Sequence, residues 1–508
     1  MMPIVSLVSR VTSSLLDLAK TMLSVSLLSA GLSACVSSGD IRSTAQTRSP
    51  AEFASGITLP GQGGQWPAMD WPTSIGGHAL QLLVDEALAT NPTLQVSAAR
   101  IAAAQALADV TRAAAAPSIG GSFTSTYQRY TENGIIPPPL AGAVRSDNQL
   151  ALSFAYDLDF WGRHAAELRA VLAQGKSVEA EQYSARLMLA SAVAHSWMLM
   201  HRQVQQLDLI GRQQAVRLQL NDLTARRIAA GLDNQSDNQI AQAQLQNLRT
   251  EQAQWQEALA LSRNQLAALL GQGPDRGLSI ALPEVAPLAA LPLPDALPLA
   301  LLGRRPDIVA ARWHVEALQG EIDTARIDFY PNINLAAFAG LSSLGLPNLI
   351  SSGSAIAGIG PAIRLPIFEG GTLRARLKGK IAGYDSAVAL YNQTLTDALH
   401  DVADQVQSLR GAAQQQEHQR LAVQAASNVL RLSEQRQRVG TANQLQVLAS
   451  EAVLLQQSRT ELDATVRLSD LRISLIKALG GGFDAAANGL VVPVTPSSEI
   501  SPTVKAAS

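Results

Sequence analysis

The sequence predicts a mainly α-helical protein with a small β-structure, built from two structural repeats. Three observations support this prediction: landmarks that recur at a nearly constant offset, long proline-free segments with coiled-coil spacing, and short segments in which apolar residues alternate. Apolar residues make up 47% of the chain and aromatic residues only 4%, and much of the apolar content is Ala and Leu. Such a bias is typical of long helices.

Five landmarks recur in the same order in the two halves of the chain. The motifs "TNPTLQ", "AAAPSIGG", "LDFWGR", "RIAAGLDN" and "LAALLGQG" are matched by "RRPDIV", "DFYPNINL", "LPIFEGG", "QRVGTANQ" and "LIKALGGG". The offsets are 214, 214, 208, 209 and 209, for the pairs Pro92 and Pro306, Pro117 and Pro331, Gly162 and Gly370, Gly231 and Gly440, and Gly271 and Gly480. One gap between the second proline and the first glycine explains the change in offset to within one residue, so we interpret the chain as an internal duplication.

Proline-free segments predict a long helix and a medium helix in each repeat. No proline occurs between residues 140 and 273, or between residues 367 and 492. Within them apolar residues follow the 3–4 spacing of coiled coils, as at Ala190, Val193, Trp197, Met200, Val204 and Leu207. Gly231 and Gly440 lie where each helical hairpin turns, since Gly tolerates the left-handed backbone of a helix C′ position.

Between the second proline and the first glycine of each repeat, the pattern changes to that of β-strands. Apolar residues at 150, 152, 154, 156 and 158 alternate with small or polar ones, and 359, 363 and 365 behave likewise. A period of two with one apolar face is typical of a strand. The weaker patterns at 119–130 and 332–341 are the expected partners. Phe160 and Trp161, at the base of the strands, suit either a membrane interface or core packing.

These patterns give the following organisation, in which each repeat contains a short helix, two strands, a long helix and a medium helix. The predicted segments are a signal peptide (1–34), a lipidated tether (35–62), repeat 1 (63–280; strands 119–130 and 149–158, long helix 163–230, helix 235–270), a Pro-rich linker (281–300), repeat 2 (301–483; strands 332–341 and 359–366, long helix 371–438, helix 443–479) and a flexible tail (484–508).

The only cysteine of the chain, Cys35, follows an apolar run and closes the motif "LSAC". The run is shorter than the roughly 20 residues that span a bilayer, and it fits the apolar region of an export signal. The motif resembles a bacterial lipobox, which implies acylation of Cys35 as the mature N-terminus. The alternative is an ordinary signal peptide with an incidental Cys. Val36 stands where Asp would favour inner-membrane retention, so we expect the outer membrane.

Charge and motif content exclude several function classes. Charged residues make up 16% of the chain and the formal net charge is −2, with no stretch suited to nucleic acid. The seven histidines show no metal-ligand spacing, and no nucleophile-elbow or phosphate-loop motif occurs. We therefore predict that the protein is not an enzyme and uses no cofactor other than a covalent lipid on Cys35.

The strands do not form a closed membrane structure within one chain. A bilayer permits β-structure only where no strand edge is left unpaired. Strands of about ten residues match the span of outer-membrane barrels, but four of them are too few to close. We therefore predict a homotrimer that pools twelve strands into a small barrel, above a long coiled α-helical barrel.

The motifs "ALATNPTLQVSAARIAAAQA", "LDFWGR", "RRPDIVAAR", "FYPNINL", "LPIFEGGTLRARL" and "ALGGG" resemble those of the TolC-like outer membrane factors, in the NodT-type lipoprotein branch. The resemblance covers residues 66–482. It implies a homotrimeric outer membrane channel that extends into the periplasm and lacks enzymatic activity. Its implied partners are a periplasmic adaptor protein, an inner-membrane efflux pump and outer membrane lipid.

The resemblance also implies roles for the hairpin tips. Gly231, Leu232, Gly440 and Thr441 match positions that dock the adaptor. Asp237 matches a gate position, and a ring of three copies would attract cations; Arg436 and Arg438 are its candidate partners across the mouth. The family often carries carboxylates at the positions of Gln446 and Ala449, so the absence of acid there weakens the expected cation selectivity. The competing interpretation is that these residues are ordinary turn and surface positions.

A second hypothesis from another class is a lipid-anchored periplasmic coiled-coil scaffold or adaptor without a pore. The alternating strands and their duplication argue against it, because a soluble scaffold needs no exposed apolar strands. Oligomer mobility on gels before and after heating distinguishes the two.

Overall fold

The computed structural model describes residues 39–49, 52–53, 57–59, 61, 63–281, 294 and 297–491. The predicted signal peptide, Cys35, most of the predicted linker and the end of the predicted tail lie outside these residues. The chain divides into two compact units. The first comprises residues 1–46, 103–175 and 314–389, and the second comprises 47–102, 176–313 and 390–508.

The elements follow the predicted order in both repeats. Both long helices contain 67 residues and both medium helices contain 35, in agreement with a duplication. The elements are α1 (Trp71–Thr90), α2 (Pro92–Ala114), β1 (Ser118–Arg129), β2 (Val144–Leu158), α3 (Arg163–Ala229), α4 (Gln235–Leu269), α5 (Asp275–Leu278), α6 (Leu297–Arg304), α7 (Pro306–Ile327), β3 (Asn332–Leu344), β4 (Ala355–Arg364), α8 (Thr372–Arg438) and α9 (Gln444–Ala478).

The first unit contains one antiparallel sheet of four strands in the order β1-β2-β3-β4. Its two hairpins come from the two repeats, and β2 and β3 join them along a twelve-residue register from Asp147↔Leu344 to Leu158↔Ile333. Below the strands, an apolar cluster from α7 and α8 contains Ile322, Phe329, Leu373, Leu377 and Ile381. Gly162, Gly370 and Gly371 all adopt positive φ, which permits the bend between strand and helix.

The second unit contains the largest apolar core. Side chains from α1, α3, α4 and α9 meet there, and Leu80, Trp197, Met200, Leu266 and Ile473 are at most 1% exposed. The predicted stripe on α3 is buried from Ala190 to Met200, but the next buried positions of that helix include Gln203 and Gln206. Beyond Met200 the buried side of the same helix is therefore mixed, since buried glutamines lie between this core and the buried apolar residues Ile210 and Val216.

Several predicted boundaries differ from the observed ones. The strand predicted at 149–158 begins at Val144, and the one predicted at 359–366 spans Ala355–Arg364. Residues 145–149 are all polar and show no apolar alternation, and they form strand because they pair with β1. Each predicted short helix is preceded by a second one, as α1 precedes α2 and α6 precedes α7.

The two terminal segments pack more extensively than predicted. Ile41 of the predicted tether packs against the apolar cluster of α7 and α8, and the Ser43 hydroxyl donates to a carboxylate oxygen of Asp385. At the other end, Ala485 and Leu490 are buried within the predicted tail. The described part of that tail is thus ordered up to residue 491, because its apolar side chains find a core.

Candidate functional site

The sheet of the first unit has one apolar face. Ile119, Phe154, Ala337 and Ile359 lie side by side across the four strands, and residues two positions along each strand continue the same face. Six of its large side chains are exposed to between 45% and 79%, namely Ile119, Phe123, Tyr127, Leu150, Leu152 and Ile359, whereas Phe154 and Leu335 are half-buried between them. A contiguous exposed apolar surface of this kind marks contact with another protein or with lipid.

The opposite face of the sheet carries small and polar side chains. Thr124, Gln149 and Ser342 form one row across it, and Ser122, Ala151 and Gly340 form another. The bulky exceptions are Phe338, Leu344 and Ile356. Phe338 lies over Gly358, where an added Cβ would approach its ring to 2.7 Å. One face of the sheet therefore suits an apolar environment, and the opposite face suits water.

The sheet of a single chain has two open edges. Strand β1 pairs only with β2, and strand β4 pairs only with β3, within the residues that the structure describes. Every residue of β1 is exposed. An exposed edge of this length is a template for pairing with a further strand.

The two helical hairpins of the second unit turn in the same way. Gly231 (φ +71°) and Gly440 (φ +79°) take the left-handed conformation after α3 and α8. The next residues, Leu232 and Thr441, donate their backbone N–H groups to the carbonyls of Arg227 and Arg436 at 2.9 and 2.8 Å. This is the Schellman arrangement, which satisfies carbonyls left unpaired at a helix end. The side chain of Leu232 is 66% exposed.

The predicted gate residues occupy equivalent positions at the start of the two medium helices. Asp237 and Gln446 are both the third residue after an Asn cap, and their N–H groups donate to Asn234 and Asn443 at 3.2 and 3.0 Å. The Asp237 carboxylate also accepts from the Asn234 backbone at 3.4 Å, which completes a capping box. Asp237 and Gln446 are exposed at the hairpin ends.

The two candidate partner arginines have local roles in this chain. The carbonyl of Arg436 accepts from both the backbone and the hydroxyl of Thr441. Arg438 lies 4.0 Å from Glu434 on the same helix. The described residues show no pairing of either arginine with Asp237. The structure therefore brings the tip residues together within each hairpin, and contacts across a mouth stay a prediction.

The first hairpin also contains an ion pair that the sequence pattern did not indicate. The guanidinium of Arg227 holds both carboxylate oxygens of Asp233, at 2.7 and 2.9 Å. The hydrogen bond from Arg227 lowers the pKa of Asp233, and the reciprocal bond raises the pKa of Arg227. The pair has no counterpart in the second turn, where Ala442 stands at the position of Asp233.

A polar network links α3, α4 and α9 in the second unit. Arg459, whose side chain is only 13% exposed, donates to Gln206 at 2.9 Å, to Gln213 at 3.1 Å and to both oxygens of Glu251. The hydrogen bond from Arg459 lowers the pKa of Glu251. Sequence reasoning missed this network because Gln206 and Gln213 lie outside the apolar stripe, one residue before its positions 207 and 214, where a heptad pattern predicts no buried side chain.

The bases of the strands surround a polar cavity of about 250 Å³ in the first unit. Trp161 stacks on Tyr330 with ring centroids 4.8 Å apart, and its indole N–H donates to the carbonyl of Pro331 at 2.7 Å. Trp161 remains 46% exposed and Phe160 64% exposed. The described residues hold no cluster of His, Cys, Asp or Glu suited to a metal ion.

A sheet with one apolar and one polar face, joined to pairs of very long helices, defines the class of outer membrane channel proteins. No helix among the described residues is long and apolar enough to cross a bilayer. The profile of the family described as outer membrane efflux protein matches residues 83–272 and 297–481, one segment in each repeat. The chain belongs to this family.

Individual relatives agree with this assignment. The fusaric acid resistance protein FusA of Burkholderia cepacia is 35% identical over 371 residues, which are 72% of this chain and 69% of that protein. The multidrug resistance outer membrane protein MdtP of Escherichia coli K12 is 29% identical over 447 residues, 85% of this chain and 90% of MdtP. The crystal structure of the outer membrane protein VceC of Vibrio cholerae superposes with a TM-score of 0.75 and 34% identity, over 82% of this chain and all of VceC.

Proposed function

We propose that this protein is the passive, trimeric exit duct of a tripartite efflux system. Three chains form a water-filled passage across the outer membrane, and a periplasmic adaptor connects it to an inner-membrane pump. The observation that carries the proposal is the two-faced sheet with open edges, since its apolar face fits lipid and its polar face fits water. The match to the outer membrane efflux protein family and the multidrug resistance outer membrane protein MdtP among the relatives support the same function.

The trimer follows from the number of strands. Four strands per chain leave both edges unpaired, which a bilayer does not tolerate. Three chains supply twelve strands, and each β4 then pairs with β1 of the next chain. A pore-free periplasmic scaffold is the weaker candidate, because it leaves the exposed apolar face of the sheet without a role.

The hairpin turns serve as the adaptor contact and Asp237 contributes to the gate in this proposal. Leu232 is an exposed apolar side chain at the first turn, and Thr441 holds the equivalent position in the second. Asp237 is exposed at the start of α4, where three copies would focus negative potential. Arg436 and Arg438, exposed on the other hairpin, are its candidate partners, whereas Gln446 leaves that hairpin without a carboxylate at the equivalent position.

Cys35 carries the lipid in this proposal and lies outside the described residues. Its support is the lipobox-like "LSAC" motif and its position as the only cysteine of the chain. We expect the mature N-terminal peptide to carry the mass of the acyl groups, and Cys35→Ser to abolish it. An unmodified cysteine at that position in the mature protein would overturn this part of the proposal.

Planar-bilayer recording on the purified full-length protein tests the duct. We expect a detergent-extracted oligomer of three chains, with a gel mobility that changes on heating, and discrete conductance steps. Asp237→Asn should lower the preference for cations over anions, whereas Asp222→Asn, on α3 before the turn, should leave it unchanged. A stable monomer without conductance would contradict the proposal.

Co-purification with the adaptor tests the docking surface at the hairpin turns. We expect the adaptor to co-purify with the wild type and Leu232→Asp to weaken this association.

A further inference from the structure

A segment rich in basic residues lies directly after the last strand. Five of the 39 Lys and Arg of the chain fall within residues 364–380, beside a single acidic residue, Glu369. The whole chain has a net charge of −2, so this excess is local. The basic residues are Arg364, Arg374, Arg376, Lys378 and Lys380, and all are exposed. We call this stretch the basic segment.

The duplicated copy of the same stretch is not basic. At the offset of 208 that relates Gly162 to Gly370, residues 156–172 hold three carboxylates, on Asp157, Asp159 and Glu167, and only two cations, on Arg163 and Arg169. The shared bend and helix start therefore do not require positive charge. The basic segment therefore carries more cations and fewer carboxylates than its copy in the first repeat.

Helix stability does not explain the basic segment. Arg374, Arg376 and Lys378 lie in the first two turns of α8, and the first turn contains no acidic residue. The dipole of a helix disfavours cations at its N-terminus. Lys380 contacts Glu321 at 2.7 Å, and Arg364 lies 3.8 Å from Glu369. Arg374 also has a contact within the chain, and its side chain is nevertheless exposed. Arg374 and Lys378, one turn apart, share an exposed face of α8 while Leu373 and Leu377 face the core.

Exposed aromatic and apolar side chains mark the base of the strands, next to the basic segment. Phe368 is 87% exposed, Ile367 61%, Phe160 64% and Trp161 46%. Aromatic residues concentrate at the level of lipid headgroups in membrane barrels. Ile367 and Phe368 precede four of the five basic residues along the chain, so those four cations follow where the bilayer ends.

The N-terminal segment gives an independent reason to place the membrane surface near the start of α8. Ile41 packs against the cluster that contains Leu373, Leu377 and Ile381 of α8, and Ser43 donates to Asp385 on the same helix. Cys35 precedes Ile41 by six residues, and six extended residues span at most about 20 Å. An acyl chain on Cys35 therefore keeps the bilayer surface close to the start of α8.

We propose that the basic segment binds the anionic phospholipid headgroups of the membrane leaflet that faces the periplasm. Arg374 and Lys378 form its centre, and the ligands are the phosphodiester groups of lipids such as phosphatidylglycerol. The inference rests on the proposed membrane insertion of the sheet. Each basic residue near an anionic surface contributes about fivefold in binding, and the effect falls off within a Debye length.

Quenching of tryptophan fluorescence by brominated lipids measures this binding locally. Six tryptophans occur, and Trp161 is the only one in the first unit; the others are Trp66, Trp71, Trp197, Trp255 and Trp313. The acylated full-length protein is reconstituted in phosphatidylethanolamine bilayers. Part of the lipid is replaced by brominated phosphatidylglycerol or by brominated phosphatidylethanolamine. Trp161→Phe supplies the background signal of the other five.

We expect brominated phosphatidylglycerol to quench the wild type with a clearly higher relative binding constant than brominated phosphatidylethanolamine. Arg374→Gln with Lys378→Gln should lower this preference by about tenfold or more, given about fivefold per charge. Arg410→Gln with Arg431→Gln is the matched control, because it removes two exposed cations from the same helix far from the strands. That control should keep the preference of the wild type.

The outcomes separate this inference from the proposed function. Absence of quenching by either lipid would contradict the membrane placement of the sheet, and with it both proposals. Equal quenching by both lipids, or an unchanged preference in the double variant, would overturn only the lipid inference. If the double variant loses the trimer and the wild type shows no lipid preference, the cations contact a neighbouring subunit and not lipid, and the lipid inference is overturned. If the double variant does not assemble, about 1 M salt should abolish the wild-type preference, and persistence of the preference overturns the inference.

Discussion

Gly271 and Gly480 follow the two medium helices at points where no side chain fits. Both have positive φ, at +68° and +91°. A Cβ on Gly271 would lie 2.8 Å from the carbonyl oxygen of Thr90, and one on Gly480 would lie 1.9 Å from that of Arg304. In each repeat, therefore, the glycine packs against the chain just before the landmark proline. This contact explains why the proline and glycine landmarks recur together.

Replacement of Gly480 by Ala should destabilise the protein by about 2 kcal/mol or more, because it combines a strained φ with a backbone clash. Gly411→Ala is the control, since that glycine lies inside α8 with no atom within 4 Å of an added Cβ. It should be neutral or stabilising by up to about 1 kcal/mol. Thermal unfolding followed by circular dichroism measures both, and equal midpoints for the two variants would refute the packing argument.

The Arg459–Glu251 pair predicts a pH-dependent part of the stability. Because Arg459 holds the pKa of Glu251 below its ordinary value of 4.5, folding favours the ionised carboxylate. The contribution is complete above the unfolded pKa and is lost as the pH falls through the lowered pKa. Glu251→Gln should therefore cost about 1 kcal/mol near neutral pH and less at about pH 3.

Urea unfolding at the two pH values measures this difference. Asp208→Asn serves as the control, because Asp208 pairs with Arg212 at 2.7 Å while both side chains are more than half exposed. Exposed pairs of this kind contribute little, so its cost should stay within about 0.5 kcal/mol at both pH values. A cost of Glu251→Gln that does not change with pH would show that the carboxylate charge is not what stabilises the network.

At the scale of the elements, each hairpin depends on an Asn that caps its second helix. Asn443 accepts from the backbone of Gln446, so Asn443→Ala should destabilise the protein by about 1 kcal/mol. Asn264, exposed inside α4, is the matched control, and Asn264→Ala should be neutral or slightly stabilising. Limited proteolysis should also cut the Asn443→Ala variant faster at the second turn. Equal cleavage of both variants would contradict the role of the cap.

The sequence predicted the elements whose signals are periodic. Both long helices end within one residue of the predicted position, because Gly231 and Gly440 are needed for the left-handed turn. The apolar face of β2 was also predicted correctly, since alternation at residues 150–158 reflects a real two-sided sheet. Local backbone geometry thus determines these features, and local patterns reveal them.

Features that depend on distant partners were not predictable in this way. The pairing of Ser43 with Asp385 joins residues 342 positions apart, and the glutamines that accept from Arg459 lie 253 and 246 positions away on α3. The Asn caps were visible in "LDNQ" and "TANQ", where Asn precedes a helix start, and were overlooked beside the glycines. Strand ends such as Val144 depend on a partner strand and not on their own composition.

At the scale of the whole molecule, duplication gives one chain two hairpins of strands and two hairpins of helices. The two halves are similar enough to pair β2 with β3 into a single sheet. They differ in charge, since only the first turn carries the Arg227–Asp233 ion pair and only the second strand base carries the basic segment. A trimer of such chains has six β-hairpins and six helical hairpins. In each set, hairpins from the first repeat alternate with hairpins from the second, which differ from them in charge.

The two faces of the sheet give the most direct test of the assembled pore. Cys35 is the only cysteine, and acylation would block its thiol, so an engineered cysteine reports alone. Thr124→Cys, on the polar face, should react with a charged thiol reagent that does not cross membranes, and the reaction should reduce conductance. Phe123→Cys, on the apolar face, should react roughly tenfold more slowly or less, because lipid covers it. Similar reaction rates at the two neighbouring positions would mean that the sheet does not separate lipid from water.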